Sequence, residues 1–129
     1  MTPKRKRGYT SFRVINVVLD ASAVLALLLG EPGGEKVKPH LNRGSISALN
    51  YAEVLARTAR LCDSLETAKR WVDRHPLHIV NFDSIQATIA TSLLPVTKPL
   101  GLSLADRACL ALGLHQQAQV RPLTRRGRN

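Results

Sequence analysis

Three carboxylates stand apart from the rest in this 129-residue chain: Asp20, Glu53 and Asp106. The chain has nine acids, and six of them occupy settings that explain a charge without any chemistry. Glu31 and Glu35 flank a glycine-rich turn. Asp63, Glu66 and Asp73 are interleaved with Lys69, Arg70 and Arg74, as on a solvated helix face. Asp83 precedes a helical segment as a cap. The remaining three each follow a strand or loop and lie at the start of a helix, where one edge of a sheet can gather them. Gathered carboxylates repel and persist only with a cation between them. Oxygen donors of this kind suit Mg²⁺ or Mn²⁺. Such a centre can lower the pKa of a water and stabilise in-line attack on a phosphate ester.

Each acid also has a structural explanation. Asp20 ends the β-branched run Val14-Ile-Asn-Val-Val-Leu19 and precedes Ala21-Ser-Ala-Val-Leu-Ala-Leu-Leu-Leu29. It is therefore placed as a helix N-cap and equally at the carboxyl end of a strand, where open α/β sheets bind ligands. Glu53 lies beside an apolar stripe formed by Leu49, Ala52, Leu55, Ala56 and Ala59. Asp106 sits in the first helical turn, where the dipole favours an acid.

The elements that must position these acids follow from the pattern. Residues 14–19 read as a buried parallel strand and residues 21–29 as a helix, stopped by Gly30-Glu-Pro-Gly-Gly34. A short helix over 35–41 follows, then a very short strand at 45–47 and a helix over 48–61. Ser64 caps a helix with Leu65, Ala68, Trp71 and Val72 buried, and Pro76 ends it. Residues 77–82 form a strand, and Asp83 or Ser84 caps a helix running to about 94. Residues 95–101, with two prolines, read as a loop. Leu102 to Leu114 is a helix entered near Ser103, and residues 118–124 are a weak last strand that Pro122 confines to an edge or a strand end. Alternating strands and helices predict an α/β chain with a three-layer α/β/α architecture and a mainly parallel central sheet.

Charge is distributed unevenly. The chain carries a net +10, with five of its 19 basic residues in 1–13 and four in 121–129, so the ten between them meet all nine acids. The expected organisation is a basic leader over 1–12, one domain over 13–124 and a basic tail over 125–129. Basic ends of this kind bind phosphate backbones non-specifically or are simply solvated. Aromatic residues make up only 4%, which argues against a base-stacking platform. Cys62 and Cys109 match no metal or redox spacing and read as reduced thiols of a cytoplasmic protein. The first apolar run is interrupted by Asn16 and Asp20 and is too short to span a membrane.

Other chemistries find little support. His75-Pro-Leu-His78 has no third ligand nearby and reads as surface. Ser22, two residues after Asp20, either orients Asp20 or the substrate, or caps the helix. No phosphate-binding glycine motif precedes a helix.

The segments Val18-Leu-Asp20-Ala-Ser-Ala, Ser47-Ala-Leu-Asn-Tyr-Ala-Glu53-Val-Leu-Ala and Gly101-Leu-Ser-Leu-Ala-Asp106-Arg-Ala-Cys-Leu resemble the PIN domain. They resemble in particular the VapC-type toxins of bacterial toxin–antitoxin pairs, over about residues 14–114. The resemblance implies a PIN-like α/β/α fold and a Mg²⁺- or Mn²⁺-dependent endoribonuclease. It further implies inhibition by a small antitoxin, a homodimeric assembly, and Asp20, Glu53 and Asp106 as metal ligands. The C-terminal part departs from the pattern. Leu123-Thr-Arg-Arg126 stands where the family brings a fourth acid, so Arg126 occupies the expected acid position. An Arg there removes an oxygen donor and repels a cation. That departure keeps a second reading open: an impaired PIN-fold protein that binds antitoxin or RNA without cutting. A third is a basic nucleic-acid-binding module working through its ends.

Overall fold

A computed structural model describes residues 17–116 and the backbone of 119–121. The leader, the tail, Thr124 and Arg126 lie outside the described residues. The elements run β1 (Val17–Leu19), α1 (Ala21–Leu28), α2 (Gly34–Val37), a 3₁₀ turn (Lys38–Arg43), β2 (Gly44–Ser47), α3 (Ala48–Cys62) and α4 (Leu65–Asp73). They continue with β3 (His78–Val80), α5 (Ser84–Ser92), α6 (Leu94–Thr97), a second 3₁₀ turn (Lys98–Leu100), α7 (Leu104–Gln116) and β4 (Gln119–Arg121).

The four strands form one parallel sheet in the order β3-β2-β1-β4. Val18 pairs with Ser45 on one side and Val120 on the other. Alternation along β1 then assigns the two faces. Val17 and Leu19, with Ile46 of β2, face one layer with Val24, Leu25, Val37, Val54 and Val72, contributed by α1 to α4. Val18 faces the opposite layer with Cys109 and Leu112 of α7, and α5 packs on α7. The predicted three-layer α/β/α architecture is therefore present.

Local chemistry fixes the helix starts. Asp20, Ser47, Ser64 and Asp83 each accept a backbone N–H through the side chain at the N-cap of α1, α3, α4 and α5. Each such cap is worth about 1 kcal/mol. Gly34 permits the turn after α1 to pack tightly, since a Cβ there would stand 2.5 Å from the Ala26 carbonyl oxygen.

Three expectations need correction. Residues 95–101 are not a loop: Pro95 and Pro99 stand in the first turn of α6 and of the second 3₁₀ turn, where a missing N–H costs nothing. The buried row of α3 is Asn50, Val54 and Thr58, while Ala52 and Ala56 are exposed and Leu49, Leu55 and Ala59 half-buried. The two polar members of the row are satisfied, Thr58 by donating to the Val54 carbonyl at 2.8 Å, so burial does not cost them their hydrogen bonds. In α4, Ala68 and Val72 are buried as expected, but Trp71 is half-buried and Leu65 exposed.

Candidate functional site

In a parallel sheet with this order, β2 and β4 lie on opposite sides of β1, and a crevice opens beyond the carboxyl ends of the strands. Three helix starts border that edge: α1 after β1, α3 after β2, and α7, which runs back toward β4. Each carries one of the acids singled out by sequence.

Asp20 is the N-cap of α1. Its Oδ1 accepts the Ala23 N–H at 2.9 Å and the Ser22 hydroxyl at 3.0 Å. Among the described residues its Oδ2 has no hydrogen bond, so capping occupies one oxygen and leaves the other. The choice between cap and functional acid is thus no choice, because the geometry allows both. Ser22 does not cap the helix; its hydroxyl holds the Asp20 carboxylate.

Asp106 is the third residue of α7 and forms a reciprocal capping box with Ser103. The Ser103 N–H donates to Asp106 Oδ2 at 2.8 Å, and the Asp106 N–H donates to Ser103 Oγ at 3.1 Å. Here too one carboxylate oxygen, Oδ1, is left over among the described residues.

Glu53 is exposed, one turn into α3, with no hydrogen bond on its carboxylate among the described residues. Its carboxyl is held above the ordinary glutamate range. The main cause is partial loss of hydration, and the charges of Asp106 and Asp20 add to it. The three acids, from three separate elements, therefore share one electrostatic field. Cys109, one turn beyond Asp106, senses the same field. Burial chiefly, then Asp20 and Asp106, push its thiol up to about 12. It stays protonated near neutral pH and is no nucleophile.

The donor chemistry fits a hard divalent cation: carboxylates only, with an uncommitted oxygen on each aspartate and both on Glu53. As they stand, however, no three His, Cys, Asp or Glu side chains among the described residues are closed around a common point. The acids act on one another at longer range than direct coordination requires.

One residue of the site escaped the sequence reading. Asn50 is buried, one turn before Glu53; its Oδ1 accepts the Ala21 N–H at 3.3 Å and its Nδ2 donates to the Ala105 carbonyl at 3.1 Å. The available signal was an amide inside an apolar helix face, three residues before an acid.

Other candidates fall into place around the site. His75 Nδ1 lies 3.2 Å from the Trp71 carbonyl oxygen and His78 is an exposed residue of β3, so the pair reads as surface. Arg43 is exposed, whereas Arg107 is partly buried and donates to the Ala90 carbonyl at 3.3 Å, which makes it a brace between α7 and α5. Four of the other acids are engaged in structure: Glu31 with Arg57, Glu66 with Arg70, Asp73 with Lys69 and Tyr51, and Asp83 in its cap. Both cysteines are free.

The family model described as PIN domain matches residues 17–120, a span that contains all three acids. The chain belongs to the PIN domain family. Members of this family are typically metal-dependent nucleases. The fold is shared with a chain of a toxin–antitoxin complex from Klebsiella pneumoniae, with a TM-score of 0.66 and 17% identity over 81% of this chain and 82% of that one. It is shared with a chain of VapBC2 from Rickettsia felis bound to a promoter DNA fragment, with a TM-score of 0.61 and 15% identity over 81% and 84% of the two chains. A chain of DNA-bound VapBC from Salmonella typhimurium gives a TM-score of 0.58 and 11% identity over 84% and 98%. At these identities the likeness is one of fold. No curated protein sequence matches the chain. No helix among the described residues is long and apolar enough to cross a membrane.

Proposed function

We propose that this PIN domain is the toxin of a type II toxin–antitoxin pair, a Mg²⁺- or Mn²⁺-dependent endoribonuclease acting in the cytoplasm. Asp20, Glu53 and Asp106 would hold the metal. The observation that carries the reading is the raised Glu53 carboxyl, with Asp106 and Asp20 among its causes. Three elements distant in sequence deliver like charge to one edge of the sheet, an arrangement that repels itself until a cation is bound.

When bound, the metal would lower the pKa of a water and stabilise charge developing on a phosphodiester. The chain's own residues hold the donors. Ser22 and the Ala23 N–H keep the Asp20 carboxylate oriented. Ser103 does the same for Asp106. Glu53 is exposed, makes no hydrogen bond through its carboxylate among the described residues, and can move toward the other two. RNA would approach through its backbone charge, drawn by exposed basic residues such as Arg43 and by the basic ends of the chain. The exposed Leu61 and Leu65, and Val96 and Leu100 on the far helix layer, leave apolar surface for protein partners such as an antitoxin or a second copy.

The test is cleavage of cellular RNA with Mg²⁺ or Mn²⁺ by the parent protein and by Asp20→Asn. This variant keeps an oxygen for the α1 cap and removes the charge. Loss of cleavage with the fold intact supports the assignment, and equal cleavage by both proteins removes it. A second reading is a PIN fold that binds antitoxin or RNA without cutting. The open spacing of the acids favours it, as does Arg126 in place of a fourth acid. Metal-independent RNA binding with no cleavage would select that reading.

A further inference from the structure

Asn50 joins the two junctions that carry the aspartates, and this assigns it a task beyond packing. The inference rests on the reading of the three acids as a metal centre. Asn50 is 2% exposed. An amide is costly to bury unless both its ends are bonded, and here both are. The oxygen accepts from Ala21, the residue after Asp20, and the nitrogen donates to the carbonyl of Ala105, the residue before Asp106. Asn50 also precedes Glu53 by three residues on α3, so the two share a helix face. One side chain therefore ties the backbone beside each aspartate to the helix that carries the glutamate.

Packing does not require this chemistry. Val54, next in the same row, fills its place with an aliphatic side chain. At Asn50 one junction presents an N–H and the other a C=O, so only a side chain that both accepts and donates can hold the two together.

We propose that Asn50 is a positioning residue that sets the spacing of Asp20, Glu53 and Asp106, and thereby the affinity of the site for a divalent cation. Groups that hold metal ligands in place typically control affinity by about 10- to 100-fold. By reciprocity, a cation that prefers the clamped spacing must also favour the clamp.

The experiment titrates Mn²⁺ into the folded parent, Asn50→Ala, Asn50→Ser and Thr58→Ala, with urea unfolding measured on each. Thr58 is buried in the same row of α3 and, among the described residues, its hydroxyl bonds only within its helix, so its variant disturbs the buried packing of α3 without touching either junction. The expected result is Mn²⁺ binding about 10- to 100-fold weaker in both Asn50 variants and unchanged in Thr58→Ala. Unchanged binding in the Asn50 variants overturns the inference, as does an equal loss in Thr58→Ala, which would make helix stability the cause. If neither Asn50 variant folds, the parent answers: saturation with Mg²⁺ should slow hydrogen exchange of the Ala21 amide, and unaltered exchange overturns the inference. A parent that binds no Mn²⁺ overturns the metal reading itself. A parent that binds, with Asn50 variants that bind equally, overturns only the role of Asn50.

Discussion

Asp106, in the first turn of α7, raises the pKa of Glu53, one turn into α3, although the two are 53 residues apart in the chain and belong to different helices. Asp20 adds to the effect from the start of α1. Replacing Asp106 with Asn should therefore lower the Glu53 carboxyl toward the ordinary glutamate value without abolishing the shift, because loss of hydration is its largest cause. Carboxyl NMR titration of metal-free protein would show this; an unmoved Glu53 would mean that the two charges do not interact.

The same shift has a sign in stability. Glu53 binds a proton more readily folded than unfolded, so the metal-free protein should gain stability as pH falls through the raised folded value toward 4.5 and lose it as pH rises. Asp73 works the other way. Its carboxyl is lowered from 3.8, chiefly by the Lys69 and Tyr51 hydrogen bonds, so its contribution is present above 3.8 and fades below. Glu53→Gln should flatten the urea midpoint between mildly acidic and neutral pH and leave the more acidic limb intact.

These relationships were partly legible in the sequence. Asp20 was readable because a β-branched run gives way to an Ala/Leu run at that residue, and the strands and most helix limits followed from similar changes of pattern. Glu53 and Asp106 were readable as acids near the start of an apolar helix that follows a strand or loop. Asn50 was not, because its partners are backbone groups 29 and 55 residues away, and no local pattern encodes them. The buried row of α3 was misread for a related reason. Alanine at positions 52 and 56 looked like core, whereas Thr58 and Asn50 earn burial through bonds that a hydropathy pattern does not register. α6 and the 3₁₀ turn after it were hidden by Pro95 and Pro99, since proline breaks a helix in its interior but opens one at the first turn.

Asp63 closes α3 with φ of 56°, the one non-glycine residue in the left-handed region among the described residues. Asp63→Gly should raise stability by about 0.5–1 kcal/mol, since glycine adopts this conformation without a Cβ penalty. Thermal unfolding would check it, with a rise of a few degrees expected for a domain of this size.

Gly34 presents the opposite case. A Cβ there meets the Ala26 carbonyl oxygen at 2.5 Å, a backbone atom that cannot rotate away. Gly34→Ala should cost about 1–3 kcal/mol through a forced shift of α2 against α1. Urea denaturation would measure it, and a neutral outcome would mean that the turn has slack.

The central claim is that Asp20, Glu53 and Asp106 make one cation site, and crystals soaked in Mn²⁺ test it most directly. The account predicts an anomalous peak bonded to carboxylate oxygens of all three, with Glu53 moved inward from its exposed position. A fully occupied soak that leaves the three acids without metal, or that places Mn²⁺ elsewhere on the chain, would contradict it.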